Sequence, residues 1–171
     1  MDATGSSPVA RTADLARGRQ FVGFRLADQG YVFRIERIQE IVIPSSTARV
    51  PEVPDYVEGV ANLRGTIIPI INLRRLFGLA PKPVDADTRT VVVNVGRRTL
   101  GCTVDAVTQV MRIAGEQIQA APDTVVFAGR SFIEGFARVG DELLIVLDVD
   151  TLLDPANLET VHRTGLNLID S

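Results

Sequence analysis

Hydrophobic residues in this chain form short runs interrupted by polar residues, a pattern typical of β-strands. Two such runs, 21–26 and 90–96, are rich in β-branched and aromatic residues, and each is followed by turn-forming residues and a second short apolar segment. The most apolar stretch, 67–71, follows an Arg64-Gly65 turn. The pattern predicts a chain built mainly of short strands joined by tight turns.

A spacing of three separates apolar residues in two segments of the chain. These residues are Ile35, Ile38 and Ile41 in the first segment and Val104, Val107 and Val110 in the second. This spacing fits neither the alternation of a regular strand nor a sustained helix. We therefore predict, in each segment, a strand bent by a bulge or by one helical turn.

An internal duplication organises the sequence. Residues 56–77 align with 132–153 without a gap, and the Glu-Gly dipeptide at 58–59 coincides with the one at 134–135. The two segments with the spacing of three superpose as well, at a slightly smaller offset. Each copy is predicted to hold five short strands, which form a small closed or nearly closed barrel and so leave no exposed sheet edge.

The predicted fold class is mainly all-β, with two tandem five-stranded β-barrels related by duplication and a C-terminal capping helix. The helix is predicted over 151–163, where Pro155 is followed by helix-compatible residues. From the N-terminus, the predicted parts are a flexible lead-in (1–19), a first barrel (about 20–80), a linker with two prolines (about 78–87), a second barrel (about 88–150) and a helix with a tail (151–171).

Composition and charge exclude several classes of function. The net charge is −3, and the basic residues are scattered among Asp and Glu instead of forming the stripe that nucleic-acid binding needs. The apolar runs are far shorter than the ~20 residues of a membrane-spanning helix, and the N-terminus does not resemble a secretion signal. The single Cys102 forms no intrachain disulfide and no zinc site. We predict a cytoplasmic protein without direct membrane insertion.

The sequence offers little catalytic chemistry. Neither the dinucleotide-binding nor the P-loop glycine motif is present. Cys102 and the single His162 leave a cysteine-dependent hydrolase as the enzyme alternative, although nothing near Cys102 indicates an activated thiolate. Asp148 and Asp150 lie two residues apart and are interpreted as capping the helix that follows. No cofactor or metal is predicted.

Three motifs together identify a family resemblance: RIERIQEI at 34–41, NLRGTIIPIINLRRLFG at 62–78 and RRTLGCTVDAVTQV at 97–110. In combination they resemble the CheW coupling proteins of bacterial chemotaxis, over about residues 20–155. The resemblance implies a non-catalytic adaptor made of two SH3-like barrels. Such an adaptor is expected to join the histidine kinase CheA, through that kinase's CheW-like regulatory domain, to the cytoplasmic tips of methyl-accepting chemoreceptors in membrane-associated arrays.

The resemblance also implies a receptor-binding groove between the two barrels, in which a receptor helix lays its apolar face. The matching positions here are Ile35, Ile38, Glu40, Arg64, Leu100 and Gly101. At Gly101 the missing side chain is expected to let a partner helix approach closely. For Ile35 and Ile38, packing in the core is the alternative role.

Arg64 and Glu40 form a pair in the family. A bidentate contact between them would make the Arg64-Gly65 turn a rigid polar rim of the groove. The second copy has Gly140 and Gln109 at the equivalent positions, so the pair exists in one copy only. This asymmetry favours a role in function over a role in shared architecture.

The kinase contact is expected at the barrel ends, at Thr47, Glu58 and Gly59. Two alternatives within the family stay open: a module of a larger kinase or adaptor, and a pathway that controls pili or another output. A chain that ends at Ser171 without a receiver signature favours a free-standing coupler. Asn72 stands where the family commonly has Asp, and this position is interpreted as structural.

Overall fold

The computed structural model describes residues 18–121, 132–155 and 158. These contain eleven strands: β1 (Arg19–Leu26), β2 (Gln29–Arg34), β3 (Ile38–Val42), β4 (Val57–Leu63), β5 (Thr66–Asn72), β6 (Arg89–Val95), β7 (Arg98–Val104), β8 (Ala106–Ile113), β9 (Ile118–Ala120), β10 (Ile133–Val139) and β11 (Glu142–Leu147). Helical structure in these residues comprises α1 (Leu73–Leu76), α2 (Val149–Leu152), 3-10 turns at Ile35–Arg37 and Gly115–Gln117, and the helical residues Pro155 and Leu158. The mainly-β prediction is confirmed. Residues 1–17 of the predicted lead-in lie outside the described part.

The strands form two mixed sheets. The strand order is β8-β1-β2-β11-β10-β9 in one sheet and β3-β6-β7-β5-β4 in the other. Neighbouring strands are antiparallel except for β2 with β11 and β5 with β7, which run parallel. The first sheet has six strands where five were predicted, because the short strand β9 pairs with the middle of β10.

The division of the chain between the sheets differs from the predicted tandem arrangement of about 20–80 and about 88–150. The five-stranded sheet takes all its strands from 38–104, whereas the six-stranded sheet combines 19–34 with 106–147. The first hairpin of each duplicated unit therefore pairs with the remaining strands of the other unit. Each sheet thus combines strands from both units. Alternation of apolar and polar residues locates a strand but is equally compatible with either set of partners.

The duplication is visible in the strand pairing. β1 and β2 pair with β8 and β11 in one sheet, as their counterparts β6 and β7 pair with β3 and β5 in the other. Each β-hairpin that follows also carries a register shift at the same place, between Val57 and Gly59 in β4 and between Ile133 and Gly135 in β10. The internal repeat therefore describes a repeated structure.

The glycine of each Glu-Gly dipeptide is required by a close backbone neighbour. A Cβ at Gly59 would collide with the carbonyl oxygen of Ala48, and a Cβ at Gly135 would collide with that of Gln119. Gly59 also has φ of 146°, which side chains disfavour. Both glycines are buried. The repeated Gly is therefore an architectural feature of both copies.

The main hydrophobic core lies between the two sheets. It takes Phe24 and Phe33 from the six-stranded sheet, Val91 and Cys102 from the five-stranded sheet, and leucines from both α1 and α2. Smaller clusters of buried residues fill each sheet on its other face. The two sheets therefore share one core and stabilise each other.

The two short helices are capped in the same way. The side chain of Asn72 accepts a hydrogen bond from the Arg75 amide, and that of Asp148 accepts one from the Thr151 amide. The interpretation of Asp148 as a cap, and of position 72 as structural, is confirmed. For Asp150 the interpretation is wrong, because this residue lies inside α2 and pairs with Arg37. Within the helix predicted over 151–163, the first two residues belong to α2, which ends at Leu152, and Pro155 and Leu158 are helical; most of that range lies outside the described residues.

Candidate functional site

Strand β3 lies at one edge of the five-stranded sheet and has the bend that its residue spacing predicts. The 3-10 turn at Ile35–Arg37 precedes it, and its pairing with β6 shifts between Ile38 and Glu40. Ile38 and Ile41 therefore lie opposite alternate residues of β6 and face the same side of the sheet. Strand β8 has the equivalent shift opposite β1. In the segment that leads into and includes β3, both the helical turn and the bulge occur.

The apolar residues of this segment are only partly covered. Ile35 and Ile38 are half-buried, and Ile38 packs against the main core. Ile41 is 38% exposed, and Ile43, just beyond the end of the strand, is 73% exposed. A line of apolar surface therefore runs along β3.

Arg64 occupies the tip of the β4–β5 hairpin, in a backbone conformation that glycine normally takes, with φ of 52°. Its Nη2 donates to Oε1 of Glu40 at 2.6 Å, and its Nη1 donates to Oε2. The predicted bidentate contact is confirmed. Glu40 lies on the edge strand β3, and Arg64 lies in the turn between β4 and β5 at the opposite edge. The pair therefore connects the two edges of the five-stranded sheet.

The electrostatics of this pair suit a polar rim. Hydrogen bonds from Arg64 lower the pKa of Glu40 below its ordinary value, and the Glu40 carboxylate raises the pKa of Arg64. The Glu40 side chain is 19% exposed and that of Arg64 is 72% exposed. Glu40 therefore stays ionised at neutral pH and fixes a guanidinium that is open to solvent.

The second copy has the same hairpin without this pair. Gly140 takes the place of Arg64, with φ of 65°, and Gln109 on β8 is exposed at the place of Glu40. An apolar residue follows each hairpin tip and is exposed in both copies: Ile67 is 60% exposed and Leu143 54%. The two tips thus differ mainly in the charged pair.

Leu100 and Gly101 do not lie on an exposed groove, which corrects their predicted position. Leu100 is 2% exposed and belongs to the main core. A Cβ at Gly101 would lie 2.6 Å from Cδ1 of Ile70 and 2.8 Å from Cγ2 of Thr90. The space left by the missing side chain is therefore occupied by the protein's own residues and does not admit a partner helix.

The predicted kinase-contact residues have structural partners. Glu58 accepts hydrogen bonds from Nδ2 of Asn72 at 2.9 Å and from Oγ1 of Thr103 at 2.8 Å, which links β4 to β5 and β7. Gly59 is buried against the loop at Ala48. Thr47 is half-buried and lines a surface cavity of ≈ 370 Å³. Of the three, Thr47 is the residue with the fewest such constraints.

The side chains named for the enzyme alternative give it no support. Cys102 is buried, and its burial raises the pKa of the thiol to about 12, so the thiolate needed for nucleophilic attack is not formed at neutral pH. His162 lies outside the described residues. In the described part of the chain no group of three His, Cys, Asp or Glu side chains is arranged to hold a metal ion.

Ile41 and Ile43 are candidate site residues that the sequence comparison of motifs did not select. Ile41 is exposed on the edge strand and Ile43 just beyond its end, so both are more accessible than Ile38. The spacing of three from Ile35 was the available signal for Ile41. For Ile43 no sequence signal separates it from a core residue, because its exposure depends on where the strand ends.

Comparison with known proteins places the chain in a family. Residues 20–157 match the CheW-like domain family. The chain is 34% identical to the chemotaxis protein CheW of Klebsiella aerogenes over 94% of this chain and 97% of that protein. It is 38% identical to the chemotaxis protein CheW of Helicobacter pylori over 78% of this chain and 81% of that protein.

A solved structure agrees with these sequence matches. The crystal structure of the scaffolding protein TtCheW from Thermoanaerobacter tengcongensis superposes with a TM-score of 0.70 at 33% identity, covering 76% of this chain and 88% of that chain. Among the described residues, no helix is long and apolar enough to cross a membrane. The matches extend over both sheets and over most of the relatives' length, and the chain belongs to the CheW family.

Proposed function

We propose that this chain is a non-catalytic adaptor that couples chemoreceptors to the histidine kinase CheA in a bacterial chemotaxis system. Its membership of the CheW family supports this role. The observation that carries the proposal is the Arg64–Glu40 pair beside the apolar line of β3. The pair has no equivalent in the second copy, so the repeated architecture does not require it.

The receptor-binding surface is the β3 edge, which we define as Ile35, Ile38, Glu40 and Ile41 together with Arg64. Ile41 offers the exposed apolar area, and Ile35 and Ile38 extend it toward the core. The Arg64 guanidinium, fixed by Glu40, offers donors on the opposite side of this edge strand from Ile38 and Ile41. An edge strand with one apolar side and one charged side fits an amphipathic helix, which is the form of a receptor tip.

CheA binds at a separate place through its CheW-like regulatory domain. Thr47 and the loop that carries it are the accessible part of the predicted kinase contact, while Glu58 and Gly59 shape the strand beneath. The protein acts in the cytoplasm and is recruited to receptor arrays at the membrane. No cofactor takes part.

Reconstitution tests the function. Purified protein, its CheA and a receptor cytoplasmic fragment are combined, and kinase phosphorylation is measured with and without the adaptor. We expect receptor-dependent activation with the wild type and a fall of about tenfold with Arg64→Glu, because the substitution places two carboxylates together at the rim.

A matched substitution at the second hairpin tip controls for general damage. Gly140→Glu introduces the same side chain at the equivalent tip and should leave activation near the wild-type level, with both variants keeping the wild-type circular dichroism spectrum. Unfolding of Arg64→Glu alone would make the residue structural. Normal activation by folded Arg64→Glu would remove it from the receptor surface.

A further inference from the structure

The chain passes between the two sheets at two places only within residues 19–121. It leaves the six-stranded sheet through the turn Ile35–Arg37 and returns to it at Asp105. These two crossovers occupy equivalent positions in the duplicated units. Each is held by an ion pair to the short helix that follows a hairpin.

The two ion pairs use equivalent helix positions with opposite charges. At the second crossover Arg74, the second residue of α1, donates through Nε to Asp105 at 2.8 Å. At the first crossover Asp150, the second residue of α2, accepts from Nη2 of Arg37 at 2.7 Å. We call the Arg74–Asp105 pair the inner clasp and the Arg37–Asp150 pair the outer clasp.

Burial separates the two clasps. The side chains of the inner clasp are 16% and 14% exposed, and Asp105 also accepts a hydrogen bond from the amide of Ala27. Those of the outer clasp are 47% and 43% exposed. An exposed ion pair contributes little to overall stability. The position of the outer clasp, and not its strength, therefore indicates its role.

The outer clasp holds one end of the turn that carries Ile35. The other end is held by Arg34, whose guanidinium makes two hydrogen bonds to Glu134, at 2.6 and 3.2 Å. The two carboxylates, of Glu134 and Asp150, belong to the last hairpin of the six-stranded sheet and to the helix α2 that follows it. Ile35 thus lies between two arginines that are each anchored to the same neighbouring part of the molecule.

We propose that Arg37 and Asp150 are positioning residues for the β3 edge, and that the outer clasp fixes the turn on which Ile35 is presented to a receptor helix. This inference rests on the function proposed above. A loosened turn lets Ile35 and the start of β3 sample other positions, so that binding must first restore their order. Neither residue needs to touch the receptor for this effect.

The test uses the full chain with three variants: Arg37→Gln, Asp150→Asn and the reversed pair Arg37→Asp with Asp150→Arg. Binding of a receptor cytoplasmic fragment is measured by calorimetry, and hydrogen exchange of the amides of residues 35–42 is measured in the free protein. We expect each single variant to bind about threefold to fivefold more weakly and to exchange faster in this segment. The reversed pair should recover much of both losses.

Three results would overturn the proposal. Single variants that bind like the wild type, while Arg64→Glu binds weakly, would leave the receptor surface in place and remove the clasp from it. Weak binding with unchanged exchange and no recovery in the reversed pair would make Arg37 a direct contact. Wild-type binding by Arg64→Glu and by all three variants would reject the β3 edge and the clasp together.

Discussion

The two hairpin tips of the duplicated unit, at Arg64 and at Gly140, lie at equivalent places in their sheets but carry different side chains. Both residues have a left-handed backbone, which glycine adopts without strain and arginine does not. The first tip keeps an unfavourable residue there and pairs it with Glu40. Features common to the two copies therefore report on folding, and the feature present in one copy reports on function.

The largest effect on stability is expected at a feature that both copies share. Gly59→Ala should lower the free energy of unfolding by about 3 kcal/mol, and Gly135→Ala by about 2 kcal/mol. In each, the added Cβ collides with a backbone carbonyl, and at Gly59 the positive φ adds strain. Urea unfolding of the two variants measures both values.

Gly65→Ala is the matched control for Gly59→Ala. Gly65 also has a positive φ, of 88°, but a Cβ there meets nothing within 4 Å. Only the backbone cost of about 1 kcal/mol is expected. If Gly59→Ala were as stable as the wild type and failed only in kinase binding, Gly59 would be a contact residue and the architectural interpretation would be wrong.

A smaller effect distinguishes the inner clasp from the outer clasp. Asp105→Asn should lower the free energy of unfolding by about 2 kcal/mol at neutral pH, because the partly buried Arg74 loses its counterion. Asp150→Asn should change it by less than about 1 kcal/mol. Equal losses in the two variants would contradict the separation of a structural clasp from a positioning clasp.

The inner clasp also predicts a pH dependence. Burial alone would raise the pKa of Asp105, but hydrogen bonds from Arg74 and from the Ala27 amide outweigh it, and the net pKa is lowered. The stabilisation is therefore fully present above the unfolded-state pKa of about 3.9 and is lost as the pH falls through the lower folded-state pKa. The wild type should approach Asp105→Asn in stability over this acid range, as urea midpoints measured against pH would show.

The helix caps should give the smallest change, and an unequal one. Asn72→Asp places a second carboxylate beside Glu58, which accepts hydrogen bonds from Asn72 and Thr103, and should cost about 1 kcal/mol. Asp148→Asn keeps the cap and should cost less than about 0.5 kcal/mol. Thermal unfolding of both variants checks the order, and a neutral Asn72→Asp would show that Glu58 tolerates a like charge.

The sequence was sufficient for features that depend on local pattern. The bend at Ile35–Ile41, the capping role of Asp148 and the bidentate contact of Arg64 with Glu40 were all predicted, because each depends on residue spacing or on a motif. The exchange of hairpins between the sheets was not predicted. Pairing partners depend on long-range packing, which the alternation of apolar residues does not encode.

Leu100 shows the same limit at the level of one residue. A motif match placed it in the receptor-binding groove. A shift of the strand register by one residue, however, turns each side chain to the other side of the sheet. In β7 this side is turned to the main core, so Leu100 is buried. The bend of β3 was predicted correctly because the spacing of three indicates the bulge between Ile38 and Glu40.

The most direct test of the central claim is receptor-dependent activation of the kinase by Arg64→Gly. This substitution makes the first hairpin tip like the second, relieves the left-handed backbone and removes the partner of Glu40. We predict a protein at least as resistant to urea as the wild type, with kinase activation lowered by about tenfold. Activation at the wild-type level by this folded variant would contradict the claim that the Arg64–Glu40 pair marks the receptor-binding surface.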